Sequence, residues 1–156
     1  MRNFNFTTAI ALITLILPKA LLSKDLTRQA PIEKVIILSG VAGKQHFFNP
    51  SSLYFKTGNL YKLIIKNNSD SKHYFSSSNF ADSIFTRKIQ VNINDNKVSE
   101  IKGFIREIEV WPNQEIEWWF VPVKAGEFSD LQCKVKDKIS GSLHSDMGMV
   151  GKITIE

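Results

Sequence analysis

The segment "CKVKDKISGSLHSDMGMVGKITIE", residues 133–156, holds the chain's only cysteine, one of its three histidines and two of its three methionines. Ten residues separate Cys133 from His144, and four separate His144 from Met149. A thiolate is a soft, strongly donating metal ligand, imidazole is intermediate, and a thioether is soft and weak. One thiolate and two imidazoles in a trigonal set, with a distant axial thioether, form the arrangement that lets a copper ion exchange one electron. Such a set serves Cu(I) and Cu(II) with little ligand movement. The second imidazole must come from elsewhere, and His73 in "NNSDSKHYF" stands just after a polar turn, where a strand resumes. His46, in "KQHFFNP" beside Phe47 and Phe48, reads as a structural residue at a strand start. Each donor also has a plainer reading. A lone cysteine is more often a small buried side chain, half of an intermolecular disulfide being a further alternative, and an isolated histidine is most often surface or hydrogen-bonded. Met147 competes with Met149 for the axial place.

The elements that must position these residues read as short strands. Leu53 and Phe55 share one face of their run, and Tyr61, Leu63 and Ile65 share one face of the next. Gly58-Asn59 turns the chain between them, and residues 67–70 ("NNSD") end the second run. "RKIQVNI" and the two runs around Pro112-Asn113 follow. Ile105, Ile108 and Val110 break strict alternation and predict a bulge, whereas Ile116, Trp118 and Phe120 oppose Trp119 and Val121. The three tryptophans are read as core and sheet-face packing. "AGEFSDLQC" and "MVGKITIE" supply a last strand pair, and "SSSNFADSIF" predicts one helical turn capped by Ser78 or Asn79. Seven or eight short strands with turns between them predict an all-β fold, a Greek-key antiparallel β-sandwich, over residues 34–156.

In this frame "HSDMGMVGKITIE" resembles the C-terminal copper-binding signature of plastocyanin- and azurin-like cupredoxins, the type 1 blue copper proteins. "NNSDSKH" resembles that family's asparagine-rich turn before its first histidine, and "AGEFSDLQC" its approach to the cysteine. The resemblance spans residues 46–156 in fragments and is most specific over 144–156. It implies His73, Cys133 and His144 as the strong ligands of one copper ion, with Met149 axial. Three features depart from the pattern. The loop between Cys133 and His144 is longer and expected to be exposed, Gly126 lies one residue further from Cys133, and Tyr74 stands where an asparagine usually supports the cysteine loop.

The first 23 residues carry Arg2, an apolar run over residues 9–17, then Pro18 and Lys19, with no acidic residue. That run is far below the ~20 residues needed to span a bilayer and reads as a secretory signal peptide, so the expected location is periplasmic. Residues 24–33 read as a mobile leader. Without Arg2 and Lys19 the net charge of +5 falls to +3, with no basic run and no aromatic RNA-binding motif, which argues against nucleic acid. Three histidines and one cysteine are too few for a multicopper oxidase, a copper nitrite reductase or a binuclear copper centre. The expectation is a monomeric, non-enzymatic electron carrier that meets redox partner proteins at the His144 edge, with Lys134, Lys136 and Lys138 favouring an acidic one. The alternative is a periplasmic copper-binding protein that exchanges copper with donor or acceptor proteins in homeostasis, delivery or tolerance.

Overall fold

The computed structural model describes residues 25–94 and 96–156; the expected signal peptide lies outside them. Alternation commits these segments to strands. In β4 (Tyr61–Asn67) the first, third, fifth and seventh residues are buried, and the ones between are more exposed. Its neighbours are β1 (Ile32–Val41) and β9 (Glu115–Pro122). With β2 (Gln45–Asn49), β6 (Ile84–Ile93) and β7 (Asn96–Ile101) they form a six-stranded sheet, ordered β2-β1-β4-β9-β6-β7. The second sheet has five strands: β3 (Ser52–Phe55), β5 (His73–Ser76), β8 (Glu107–Val110), β10 (Gly126–Gln132) and β11 (Val150–Ile155), ordered β3-β11-β10-β5-β8. The leader segment holds a one-turn 3-10 helix at Leu26–Arg28, and Ile32 and Glu33 already belong to β1.

The sheets are mixed rather than purely antiparallel. β1 pairs with β4, and β11 with β3, in parallel; the other pairs run antiparallel. The reason is the crossing: after β2 the chain passes through the other sheet as β3 and returns beside β1 in the same sense. Local turn residues report hairpins; they carry no record of such a long crossover.

Between the sheets Phe55, Phe75, Phe80, Trp118 and Phe120 meet in mostly edge-to-face pairs with centroids 5.2–6.4 Å apart, the arrangement ring quadrupoles favour. Trp119 lies on the outer sheet face beneath Lys88. Trp111 departs from the packing expectation: it is 60% exposed, because it follows the last residue of β8 and leaves the sheet.

The irregularities also fall differently from expectation. Ile105 precedes β8 instead of belonging to it, so its broken alternation marks a loop. β7 carries a bulge at Val98, and two more lie in β6 at Arg87 and in β10 between Phe128 and Leu131. The β10 bulge absorbs one extra residue between Gly126 and Cys133. There Asp130 accepts hydrogen bonds from the Ser77 hydroxyl (2.6 Å) and the Asn79 N–H (2.9 Å). The helical turn α1 (Ser78–Ala81) is thus capped from β10, with Ser77 at its N-cap making no side-chain bond to the helix backbone. Neither Ser78 nor Asn79 is the cap.

Registers Ile32↔Tyr61 and Ile155↔Phe55 bring the outer ends of the first and last strands to one pole. Gly40↔His46 and Leu38↔Asn67 lie at the other. The rare donors gather at this second pole.

Candidate metal centre

His73 opens β5 opposite Val110 of β8. The polar turn before it is built on Asn67, which is fully buried. Its amide donates to the Ser71 and Val110 carbonyls, both at 2.8 Å, and its carbonyl oxygen accepts the Ser69 N–H and hydroxyl at 2.9 and 2.8 Å. Ser69 Oγ in turn lies 2.7 Å from His73 Nε2. The hydroxyl proton has acceptors at Asn67 Oδ1 and the Ser71 carbonyl, so Oγ accepts from His73 Nε2–H. That bond fixes the tautomer and leaves the His73 Nδ1 lone pair facing inward.

The other donors come from one loop. Cys133 directly follows β10, and Met149 directly precedes β11. The Cys133 N–H donates to the Met149 carbonyl (3.2 Å), and Met149 N–H donates to the His144 carbonyl (2.9 Å). Ser145 N–H donates to the Cys133 carbonyl (2.9 Å) and His144 N–H to the Val135 carbonyl (2.8 Å). Cys133 and Met149 are fully buried, and Met149 belongs to the apolar core. Met147 is partly exposed, and its sulfur accepts the Ser140 hydroxyl at 3.5 Å.

The inward atoms form a triangle. His73 Nδ1 and His144 Nδ1 are 3.1 Å apart, and Cys133 Sγ lies 3.9 and 3.6 Å from them. An ion bonded at about 2.0–2.1 Å to nitrogen and about 2.3 Å to sulfur would span edges of that size at angles of roughly 100° to 125°. The donor set fits one copper ion as a type 1 site: two imidazoles and a thiolate in a triangle, with a buried thioether from the adjoining residue Met149. Tyr74 still serves the sulfur, since its backbone N–H lies 3.3 Å from Cys133 Sγ; only a side-chain amide is missing there.

Burial dominates the electrostatics. It lowers His73 to about 3 and His144 to about 4, helped by the neighbouring imidazoles. Burial also raises the Cys133 thiol, against the N–H groups of Tyr74 and Val135. Both rings are therefore neutral at pH 7, with lone pairs free to donate. The buried thiol would release its proton readily only when a cation takes its place on the sulfur.

His46 and Asp137 complete this pole, and neither stood out as part of the site. His46 is fully buried, and its ring stacks on that of His144 with centroids 3.7 Å apart and planes 25° apart. His46, His73 and His144 form a buried three-histidine cluster. Asp137 Oδ2 accepts His46 Nε2–H at 3.0 Å and the Gly43 N–H at 3.0 Å. Its Oδ1 accepts Ser140 N–H (2.7 Å) and Ile139 N–H (3.0 Å). Those donors, Ser140 first and His46 next, hold the carboxyl far below the usual carboxylate range. The long loop after Cys133 is thus exposed at Ile139 but rooted in the interior by Asp137. A buried Asp137 surrounded in sequence by lysines carries no local signal of its partner, 91 residues away.

His144 differs from expectation in exposure. It is 1% exposed rather than presenting an open edge, because His46 covers one ring face. It reaches the surface as a lining residue of a hollow of about 230 Å³, with Trp111, Pro112 and Val135.

No protein-family model and no curated protein matches the sequence. Solved structures do match. The copper-containing nitrite reductase of Thermus scotoductus SA-01 superposes with a TM-score of 0.57 over 82% of this chain and 32% of its own, at 12% identity. The chain has the cupredoxin fold. A multi-copper oxidase from Pediococcus acidilactici superposes over 96% of this chain and 30% of its own, with a TM-score of 0.55 and 17% identity. The copper nitrite reductase of Nitrosomonas europaea gives 0.55 at 11% identity, over 85% of this chain and 51% of its own. The chain spans between about a third and a half of these cupredoxin-fold enzymes. Among the described residues no helix is long and apolar enough to cross a membrane.

Proposed function

We propose that this protein is an exported, periplasmic electron carrier holding one type 1 copper ion through His73, Cys133, His144 and axial Met149. The observation that carries the reading is the triangle of Nδ1, Nδ1 and Sγ atoms at 3.1, 3.6 and 3.9 Å. Bound there, copper supplies a one-electron Cu(I)/Cu(II) couple. The chain's own contribution is to hold the donors in one arrangement. Ser69 orients His73, the Tyr74 N–H stabilises negative charge on sulfur, and the hydrogen-bonded loop keeps His144 and Met149 from moving when the charge changes.

The alternative, a copper-exchanging protein, gains less support. A releasing site would use Met147 as a second thioether, yet its sulfur accepts a hydrogen bond from Ser140 outside the triangle. A catalytic reading lacks further histidines: the three in the chain are all gathered at this one pole. Electrons would pass through the hollow that His144 lines. Lys136 lines it and Lys134 is exposed two residues away, while Lys138 at its edge is already 3.5 Å from Asp70. These positive charges favour a redox partner with an acidic face.

The test is the visible and electron paramagnetic resonance spectrum of the purified protein with one equivalent of Cu(II). An intense thiolate-to-copper band, absent in Cys133→Ser, is the expected result. Met149→Leu is expected to keep the band and shift the potential, whereas Met147→Leu leaves both unchanged. A colourless protein with only weak Cu(II) signals overturns the reading.

A further inference from the structure

His46 is the one buried imidazole that the proposed ligand set does not use. The three histidine rings lie close enough to suggest a shared ion, but the stacking argues against it. Rings stacked at 3.7 Å and 25° hold their in-plane lone pairs in nearly parallel, separate planes. An ion in the plane of His144 therefore lies off the plane of His46. The same geometry makes His46 a wall. It covers a face of His144, whose ring has only its Nδ1 in a hydrogen-bonding or donor contact, its Nε2 being buried without a partner. His73 has Ser69 to set its rotation; His144 has no such polar contact.

We propose that His46 is the positioning residue for His144, held in place by Asp137, so that the ten-residue loop after Cys133 is part of the scaffold of the site. Two features on opposite sides clamp the His46 ring. Asp137 accepts from Nε2 at 3.0 Å, and three backbone N–H groups, of Gly43, Ile139 and Ser140, hold that carboxylate. On β1, Gly40 leaves the space its Cβ would occupy, which would fall 2.4 Å from His46 Nδ1 and 2.5 Å from the Gln45 carbonyl. The backbone at residue 46 is tied as well, with its N–H donating to the Met147 carbonyl at 3.3 Å. His46 is thus fixed from β1, from the long loop and from the turn before Met149, and it transmits that fixation to His144 through ring contact alone.

The proposal rests on the copper reading for its consequence but not for its geometry, so the experiment has two readouts. The first is the ring-proton shift of His144 by nuclear magnetic resonance in the metal-free protein. Stacking on His46 is expected to move these protons upfield; His46→Ala loses the shift, and His46→Phe, which keeps a ring, retains most of it. The second is Cu(II) affinity and the thiolate-to-copper spectrum. His46→Ala is expected to weaken binding about 10- to 100-fold and to alter the band, while His46→Phe stays near the parent protein. Gly40→Ala, which keeps both histidines but sets a methyl group against the His46 ring, is expected to follow His46→Ala, and it serves if the phenylalanine variant fails to fold beside Asp137. His144 ring shifts and copper spectra unchanged in both His46→Ala and Gly40→Ala overturn the proposal. A protein that shows the ring shifts but no thiolate band removes the copper reading and leaves the positioning role standing.

Discussion

Ser69 exerts its influence through one atom. Its Oγ accepts from His73 Nε2 at 2.7 Å and so decides which nitrogen of that ring faces Cys133. Ser69→Ala leaves a buried N–H without a partner and frees the ring to rotate. The expected result is a Cu(II) affinity about 10- to 100-fold weaker, measured by competition with a chelator, and a fold less stable by about 1–3 kcal/mol for the unpaired N–H. His73, Cys133, His144 and Met149 could be singled out in the sequence because the chain uses so few donors of their kinds. Ser69 and Asp137 could not, since serine and aspartate are ordinary loop residues and only the fold shows which are buried. His46 stood out as a rare residue, yet its phenylalanine neighbours pointed to packing. It does pack, but against His144.

The strands translate sequence spacing into position. One residue too many between Gly126 and Cys133 would turn every later side chain of β10 to the wrong face. The bulge between Phe128 and Leu131 restores the phase, so Leu131 and Cys133 both point inward. Gly151 on β11 has the opposite problem. A Cβ there would lie 2.7 Å from the Ser51 carbonyl and 2.9 Å from Leu131 Cδ2. Gly151→Ala is expected to cost about 1–3 kcal/mol by overpacking, read as a lower urea midpoint, and to loosen Met149 two residues away. The inward faces of β3, β4 and β9 were readable from period-two alternation. Bulges and parallel pairings were not, because they depend on which strand lies alongside.

At the scale of the molecule, the site is an acid-sensitive part of the metal-free fold. His73 and His144 titrate near 3 and 4 when folded, against 6.5 when exposed. Between those values the unfolded chain binds more protons, so stability rises with pH over that window and levels off above about 6.5. Denaturant unfolding of the metal-free protein is expected to show a midpoint that falls as pH drops below 6.5. His73→Phe should flatten the curve. A midpoint that does not change from pH 4 to 7 would contradict the neutral, buried state of both rings.

The two poles have a practical consequence for attachment. Ile32 and Ile155 lie where β4 begins, and His73, Cys133 and His144 lie near its other end, six residues and about 20 Å along a strand. A protein fixed to an electrode by a tag beyond Ile155 holds its copper-binding pole away from the metal surface, with the thickness of the sandwich between them. One fixed through a cysteine placed at Lys136, at the rim of the hollow that His144 lines, turns that pole toward it. Film voltammetry should therefore give slow electron exchange for the first attachment and fast exchange for the second.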